Sequence, residues 1–552
     1  MVIASLRPAK RLCVAIVVIA AGITSRADAT GVALLQHAEH ALGKVDFPVS
    51  CSGQARVEFN HAIALLHHMT YPQARQAFEQ VAAIDPTCAM AHWGIATTLF
   101  QPLWPTRPGP DALARGSDEV QKAMALQPPT ERERLFIAAA EAFFLDPASA
   151  DYWLRIRRWE QAMEKAYAAL PEDAEAAAFY ALAHLATTPA TAVSRTHADR
   201  AAEILLRVYE QNQDHPGAMH YLVHANDVPG RERELLEITR RYESVAPRNP
   251  HALHMPTHIY TRLGDWDAVV RGNLRAAEAA LEHPAGDKGQ FVWDEFPHAL
   301  EYLVYAHLQL GADDRAAAAL ARLRATKPLE PTFKTAFHLA SAHARDVLER
   351  RAWKEATSLA VREPATLNWD RFTWPEAITH FARGLGAARL GNATEARTAV
   401  ARLDALEKAT LKANEELFAR NIRTLRLELS GWLSHLEGQS AAAVKLMSEA
   451  AELEASTPKH AVTPGPTLPA HELLGDLLME QKRAADALAA YKRSLTLYPK
   501  RFNSLLGAAR AARTLGDETQ ARTYYRELLD GAAGGTRGVV VKEARDYSGR
   551  GF

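Results

Sequence analysis

Six histidines lie within one short stretch of this chain, residues 215–258, and their spacing suits metal ligands on helices. His220 and His224 are four residues apart, and so are His254 and His258. Residues at positions i and i+4 share one face of an α-helix, so each pair can direct two imidazoles towards one point. Neutral imidazole is a good ligand for Zn, Cu, Fe and Ni. The stretch therefore predicts a histidine-lined metal site.

The two pairs are related by a constant shift. The second pair follows the first by 34 residues at both positions, which places them at the same point of two consecutive structural repeats. Packed helices lie about 8–10 Å apart, so imidazoles from both sides can converge on one ion. We predict a transition-metal site (Zn, Cu or Fe) formed by His220, His224, His254 and His258, with ligand distances of about 2.0–2.1 Å.

A proline separates the two histidines of the second pair. Asn249 and Pro250 are typical of an N-cap and a first helical turn, so Pro256 falls inside the helix that they begin. An interior proline removes one backbone hydrogen bond and kinks the helix, at a cost of about 3 kcal/mol. We expect this kink to re-aim His254 relative to His258.

Neighbouring repeats hold further candidates for the same site. The additional metal-ligand candidates are His67, His68, His92, His298 and His380. Glu301 and Glu376 are candidates for a general base if the metal activates water or dioxygen. His215 and His251 stand at helix starts, where no metal is needed to account for them. Each residue also has a structural interpretation, because buried histidines are usually hydrogen-bonded and duplication of a repeat can copy a histidine pair.

Other catalytic motifs are absent from the sequence. It contains no G-x-S-x-G, P-loop, His-Glu-x-x-His or C-x-x-C motif and no G-x-G-x-x-G after a strand, so no nucleotide cofactor is expected. The formal net charge is −1, which does not favour nucleic acid as a partner.

The N-terminus has the features of an export signal. Arg7, Lys10 and Arg11 precede a short apolar run, and residues 27–29 (Ala-Asp-Ala) offer a cleavage site. The run is shorter than a bilayer crossing requires, although an uncleaved anchor is the alternative. We expect a periplasmic or secreted protein without a stable membrane span after residues 1–29 are removed.

Two cysteines remain after that cleavage, Cys51 and Cys88. An even number of cysteines in an oxidising compartment predicts one disulfide. Cys51 precedes the first predicted helix and Cys88 follows the second, and these ends of an antiparallel hairpin lie close together. Two free thiols, or cysteine ligands to a metal, are the alternatives.

The 3.6-residue period of a helix dominates the rest of the chain, and short turns interrupt it at regular intervals. The segment before Pro499 carries small or aromatic residues at Gly475, Ala487, Tyr491 and Ser494. The segment before Pro86 repeats the spacing with Ala62, Ala74, Phe78 and Val81. Small residues let the two helices of a hairpin approach closely, the aromatic residue packs into the next repeat, and proline ends the second helix.

These spacings resemble the tetratricopeptide repeat (TPR), and the chain is similar to a group of secreted bacterial TPR proteins of uncharacterised function. The residues that carry the resemblance are 51–65, 85–94, 215–220, 254–260, 501–503 and 507–510. The resemblance implies an all-α fold, a right-handed TPR-type α-solenoid of about twelve helix hairpins, and no particular activity. Glu301 stands where a histidine often stands in that group.

The predicted organisation is a signal peptide (1–29), an N-terminal linker (30–50), a TPR-like superhelix with the histidine cluster (51–365), C-terminal TPR repeats (366–531) and a mobile tail (532–552). First helices of TPR hairpins line the concave face, which is the usual ligand surface. We therefore predict an exported scaffold that binds a protein, peptide or small ligand there and holds a metal between adjacent repeats. A metal-dependent hydrolase or oxidoreductase, and a plain protein-interaction scaffold without metal, are the alternatives.

Overall fold

Twelve helix hairpins follow one another in the part of the chain that the structure describes, and a single helix comes after them. The structure, a computed structural model, describes residues 41–146, 151–191, 194–286, 288–532 and 535–549. The predicted signal peptide lies outside these ranges. Within them the regular structure consists of α-helices, one short 3-10 helix and two isolated β-bridges. The all-α solenoid predicted from the sequence is confirmed.

The first six hairpins are α1 (Gly53–His67) with α2 (Tyr71–Ile84), α3 (Ala89–Thr97) with α4 (Pro110–Ala125), α5 (Glu131–Phe144) with α6 (Tyr152–Ala169), α7 (Ala174–Ala186) with α8 (Ser194–Gln211), α9 (Pro216–Asn226) with α10 (Leu236–Val245), and α11 (Pro250–His254) plus α12 (Pro256–Leu263) with α13 (Trp266–Leu281). The other six are α14 (Glu295–Gln309) with α15 (Asp313–Ala325), α16 (Phe333–Glu349) with α17 (Trp353–Thr357), α18 (Thr373–Arg389) with α19 (Ala393–Lys412), α20 (Glu416–Leu436) with α21 (Ser440–Ala455), α22 (Ala470–Glu480) with α23 (Ala484–Leu497), and α24 (Phe502–Thr514) with α25 (Glu518–Gly531). The last helix is α26 (Gly538–Ser548), and the 3-10 helix (Trp369–Arg371) precedes α18.

Glycines and aromatic rings fit together at the crossings between these helices, as the sequence pattern predicts. A Cβ atom added to Gly94 would lie 2.3 Å from the ring of Phe78. One added to Gly507 would lie 2.3 Å from the ring of Tyr491, and one added to Gly475 would lie 2.6 Å from the same ring. The aromatic residue of one hairpin therefore packs against the first helix of the next, at a distance that excludes any larger residue.

The helix that carries the second histidine pair is interrupted at Pro256. Its first part, α11, ends at His254, and α12 begins at Pro256. Met255 between them keeps right-handed helical angles, with φ −53° and ψ −42°. Asn249 caps the start, where its Oδ1 accepts a hydrogen bond of 3.0 Å from a backbone N–H. The predicted N-cap and interruption are both confirmed.

Distant repeats touch one another, which encloses the inner helices. The amide of Asn249 donates to the hydroxyl of Thr70, 179 residues away, over 2.9 Å. The indole of Trp266 donates to the carbonyl of Lys500, 234 residues away, over 3.1 Å. Every residue of α14 is buried. The inner face of the solenoid is therefore part of the protein interior near its middle repeats.

The hydrophobic core continues across residue 365, where the sequence suggests a boundary. The rings of Phe337 on α16 and Trp374 on α18 lie 4.7 Å apart, and the core that contains both extends from Phe333 to Ala521. The described helices on the two sides of this point are thus packed together.

The predicted mobile tail contains a helix, which differs from the expectation for 532–552. α26 packs against α25 through Val541 and Ala544, which are buried. The segment before it is fixed by an ion pair of 2.8 Å between Arg537 and Asp313. The described residues 535–549 therefore contain a packed helix and an ion pair to a distant hairpin.

A disulfide joins Cys51 to Cys88, as predicted, which excludes free thiols and cysteine ligands. The segment before it is also held, since Phe47 is buried and its N–H donates to Asn60. No helix in the described ranges has both the length and the apolar character that a bilayer crossing needs.

Candidate metal centres

Three histidines from two consecutive inner helices bring their Nε2 atoms together, and we name His220, His224 and His251 the first centre. The Nε2 of His220 lies 3.1 Å from that of His224 and 3.0 Å from that of His251. His220 and His224 share one face of α9 because they are four residues apart. His251 comes from the first turn of α11, directly after Pro250.

Hydrogen bonds fix the rings of His220 and His251. The Nδ1 of His220 lies 2.6 Å from the backbone carbonyl oxygen of His67. The Nδ1 of His251 lies 3.1 Å from a carboxylate oxygen of Glu295. Both partners can only accept a hydrogen bond, so each Nδ1 carries the ring proton and each Nε2 presents a lone pair. This tautomer is the one that binds metal through Nε2.

The second centre consists of His254, His258 and His298, each offering a ring nitrogen within 4.8 Å of the other two. The Nε2 atoms of His254 and His258 are 3.0 Å apart. The Nδ1 of His254 donates to the Oδ1 of Asn273 over 2.7 Å, and the amide nitrogen of this asparagine donates to a backbone carbonyl. The Nδ1 of His258 donates to Asp227 over 2.8 Å. The tautomers therefore match those of the first centre.

Both centres bring lone pairs face to face. Two ring nitrogens that hold no proton repel each other at 3.0 Å unless a cation lies between them. Burial lowers the pKa of His220 and His254 well below the ordinary value, and neighbouring imidazoles lower it further. A shared proton is therefore unfavourable at neutral pH. A metal ion about 2.0–2.1 Å from each nitrogen would separate tetrahedral ligands by about 3.3 Å, close to the spacing observed.

The second centre is closed to solvent. The side chains of His254 and His298 are 0% exposed and that of His258 is 1% exposed. Burial, reinforced by the ammonium group of Lys459, lowers the pKa of His258 to about 4. Neither nitrogen of His298 has a hydrogen-bond partner in the described ranges. A buried ring with two unsatisfied nitrogens is rare in proteins and suits a ligand to an ion.

Buried carboxylates surround the centres and carry negative charge. Asp227 lies 2.6 Å from the ammonium of Lys459 and 2.8 Å from the guanidinium of Arg262. Burial opposes the ionisation of Asp227, but these two cations outweigh it and hold its pKa far below the ordinary value. Lys334 has the same effect on the pKa of Glu295. Ionised carboxylates behind the ligands raise the basicity of the imidazoles and offset the charge of a bound metal.

A cavity of about 790 Å³ adjoins the first centre. Small-molecule sites usually measure about 300–1,000 Å³. Residues of its wall include Trp104, His224, Asp227, Trp374, Lys459 and His460. His224 is partly exposed and thus belongs to both the first centre and the cavity wall. An ion at this centre would be reachable from the cavity.

His460 offers a fixed hydrogen-bond donor to the cavity. Its Nδ1 accepts a bond of 3.0 Å from the backbone N–H of Val462, so the ring proton is on Nε2. Burial is the main cause that lowers the pKa of His460 to about 3. The ring is therefore neutral and donates through Nε2 at physiological pH.

Comparisons with known proteins do not identify a family or a function for this chain. No family model and no curated protein matches the chain. Among solved structures, it is similar to the human IFIT1 dimer with m7Gppp-AAAA, with 14% identity, a TM-score of 0.37, and coverage of 91% of this chain and 93% of that one. It is also similar to the APC/C hetero-tetramer Cut9–Hcn1, with 14% identity, a TM-score of 0.30, and coverage of 89% and 96%. These values carry no argument about function.

The four histidines predicted as one site are divided between the two centres. His220 and His224 belong to the first centre, and His254 and His258 belong to the second. Each pair is completed by a histidine near the start of the following inner helix, and both of these residues come directly after a proline. One of them, His298, was a secondary candidate, and the other, His251, was assigned no metal role. The repeated Pro-His dipeptide is the signal that sequence reasoning missed.

The other histidine candidates have hydrogen-bond partners outside the two centres. His67 contacts the hydroxyl of Tyr221 and the carboxylate of Glu175, at 3.0 and 2.8 Å. His68 donates to the carbonyl of Leu42 over 3.0 Å. His92 pairs with Glu119 at 2.6 Å, and His380 lies 3.4 Å from Glu376. None of these four histidines belongs to the first or the second centre.

The two candidate bases are held by cations. Glu376 is bonded by Arg362 and Arg402, and together with His380 these outweigh burial and lower its pKa to about 2. Glu301 is fully buried and accepts from Arg345 over 3.0 Å. Neither residue lines the cavity.

Two further groups of histidines and glutamates lie together in the described ranges, and in each a hydrogen bond fixes the proton position of one ring. In one, the Nδ1 of His215 accepts from a backbone N–H, so its Nε2 carries the proton and faces Glu175. In the other, the Nε2 of His197 donates to the carbonyl of His184, whose own Nδ1 contacts Glu160. Each group thus lacks one of the lone pairs that a three-ligand site needs.

Proposed function

We propose that this protein binds transition-metal ions at the first and second centres and a small ligand in the adjoining cavity. One observation carries the proposal: the Nε2 atoms of His220 and His251 face each other at 3.0 Å while both Nδ1 protons are committed to acceptors. A bound cation turns this repulsive contact into coordination. A plain scaffold whose histidines only pack has no use for such an arrangement.

The chemistry of the donors narrows the choice of metal. Three neutral imidazoles favour Zn, Cu or Fe, whereas Mg and Ca prefer oxygen ligands. Burial lowers the pKa of both His220 and His224, so the ligands stay deprotonated below neutral pH. The first centre has three protein ligands, which leaves a coordination position for a ligand that enters through the cavity.

The cavity suits a small organic ligand with polar groups. Trp104 and Trp374 supply flat apolar walls, and Lys459 and His460 supply hydrogen-bond donors. Such a mixture of aromatic surface and a few fixed polar groups is typical of small-molecule sites. Because the inner helices around the cavity are packed together, the space suits a small ligand better than a long peptide.

Export to the periplasm or the cell exterior fits the same proposal. The Cys51–Cys88 disulfide is stable in an oxidising compartment, and the first 29 residues have the pattern of a signal peptide. Mass spectrometry of the mature N-terminus would test this. An intact N-terminus in protein recovered from the cytoplasm would contradict it.

A metal-dependent hydrolase or oxidoreductase is the second candidate function. Its support is the position of His224, which belongs to both the first centre and the cavity wall. An ion there can present bound water or dioxygen to a ligand in the cavity. His460 would donate a hydrogen bond to that ligand through Nε2.

Metal content is the decisive measurement for the proposal. Protein purified from the periplasm is analysed for metals before and after incubation with Zn, Cu or Fe(II) and removal of free ions. The double variant His220→Gln and His251→Gln should lose one equivalent, since it removes two of three ligands from the first centre. The single variant His307→Gln, which alters a buried histidine outside both centres, should keep the full content. Circular dichroism confirms that each variant folds.

A protein without stoichiometric metal after incubation with all three ions would refute the metal-binding proposal and leave the plain scaffold. Full metal content in the folded double variant would refute the assignment of the first centre.

A further inference from the structure

His338 on α16 has the features of a metal ligand but belongs to neither centre as defined above. It is fully buried, and its Nδ1 donates to Glu301 over 2.7 Å. Its Nε2 is buried and has no hydrogen-bond partner within the described part of the chain. A histidine with one nitrogen on a carboxylate and the other free has the arrangement usual for a ligand with its outer-shell partner.

The position of His298 links His338 to the second centre. The ring of His298 lies 4.1 Å from the ring of His254 on one side and 4.5 Å from that of His338 on the other. Both nitrogens of His298 are also buried without partners among described residues. His338 lies outside the group whose ligand nitrogens are all within 4.8 Å of one another, so its ring must move towards His298 to reach the same ion. One nitrogen of each ring would then gain a partner, which offsets the cost of leaving it buried and unsatisfied.

The carboxylate behind His338 is itself held in place. Glu301 accepts from the hydroxyl of Ser341 over 2.6 Å and from Arg345 over 3.0 Å. Arg345 in turn donates to the backbone carbonyls of Gly465 and Pro466, each over 2.6 Å. This chain of hydrogen bonds fixes the ring plane of His338 and leaves Nε2 as its only free coordinating atom.

We infer that His338 is the fourth protein ligand of the second centre, with Glu301 as the positioning residue that orients it. The inference rests on the proposed metal binding. With His338 as a ligand, the two centres differ in their number of protein ligands and in their access to the cavity. The first has three ligands and opens to the cavity, whereas in the second four protein ligands fill all four tetrahedral positions, as they do in closed structural zinc sites.

Chelator kinetics test the difference between the centres. Protein loaded with two equivalents of zinc is mixed with excess EDTA, and zinc release is followed over time. One equivalent should leave rapidly from the first centre and the other slowly from the second. The variant His338→Gln should release its slow equivalent about 10–100-fold faster, as expected for loss of a ligand or its support. Glu301→Gln should have a smaller effect in the same direction.

The control variant is His343→Gln, on the same helix as His338 but bonded through Nδ1 to the carbonyl of Leu339. It should leave both release phases unchanged. Zinc content of two equivalents in the parent protein, together with a slow phase that is the same in folded His338→Gln, would overturn the role of His338 and leave the metal proposal intact. Absence of bound zinc in the parent protein would instead overturn both.

A measurement on the unaltered protein covers the case in which the His338 variant fails to fold. Brief EDTA treatment removes the rapidly exchanging zinc, and X-ray absorption at the zinc edge then counts the ligands of the remaining ion. Four imidazole nitrogens at about 2.0 Å support the inference. Three imidazoles with a water oxygen would overturn it.

Discussion

Substitution of Asp227 by asparagine tests the coupling between the second centre and the charges around it. Asp227 lies 2.8 Å from the Nδ1 of His258, 2.8 Å from Arg262 and 2.6 Å from Lys459. Asparagine keeps the size of the side chain but removes its charge. Two buried cations would then lack their counter-ion, and one metal ligand would lose its acceptor.

The free-energy cost of Asp227→Asn has two parts that can be measured separately. Breaking a buried ion pair by removal of one partner costs about 3–5 kcal/mol, and this cost applies to the metal-free protein. Loss of an outer-shell carboxylate lowers metal affinity about 10–100-fold, which corresponds to about 1.4–2.7 kcal/mol. Asp227→Asn should therefore destabilise the zinc-loaded protein by more than it destabilises the metal-free protein.

Urea unfolding of both proteins, each with and without zinc, measures these values. Asp313→Asn is the matched control, because Asp313 is paired with Arg537 far from both centres and is partly exposed. It should cost less than about 1 kcal/mol, and the same amount with and without zinc. If Asp227→Asn is equally destabilising with and without zinc, the carboxylate does not support a metal ligand, and the account of the second centre is wrong.

Three other perturbations have defined outcomes. Burial lowers the pKa of His68 to about 3, whereas in the unfolded chain this histidine has a pKa near 6.5. The unfolded state therefore binds more protons than the folded state as the pH falls, and this residue should lower the free energy of unfolding of the metal-free protein by about 2 kcal/mol between pH 7 and pH 5. Urea unfolding measures this pH dependence, which His68→Gln should weaken. Replacing both cysteines of the Cys51–Cys88 disulfide, which are 37 residues apart, should reduce the free energy of unfolding by about 4 kcal/mol. Gly507→Ala forces a Cβ to within 2.3 Å of the Tyr491 ring and should cost about 1–3 kcal/mol in thermal unfolding, whereas Gly531→Ala meets nothing within 4 Å and should not destabilise.

A histidine-rich interior is an unusual use of a solenoid. Solenoid repeats normally leave their concave face open for a partner. In this chain, contacts such as that between Trp266 and Lys500 bring distant repeats together, and the inner helices become a core. Polar residues in such a core need partners, and nitrogens of His298 and His338 have none among the described residues. These unsatisfied nitrogens are among the observations that support the proposed metal binding.

Local physics made much of the fold and part of the candidate site predictable. The 3.6-residue period places His220 with His224, and His254 with His258, on one helix face whatever surrounds them. The small-residue and aromatic pattern around Tyr491 identifies the hairpins, because the close approach of helices requires it. Asn249 and Pro256 mark the start and the interruption of a helix for equally local reasons.

The tertiary structure alone decided how these parts combine. The sequence predicted one site from two pairs, whereas packing completes each pair with a histidine from the next inner helix, His251 or His298. The groups that orient the rings come from far along the chain. The carbonyl group of His67, for example, lies 153 residues from His220. Helical periodicity acts over a few residues, but the curvature of a solenoid sums many small packing angles. No single spacing encodes that sum, so the grouping of ligands could be read only from the folded chain.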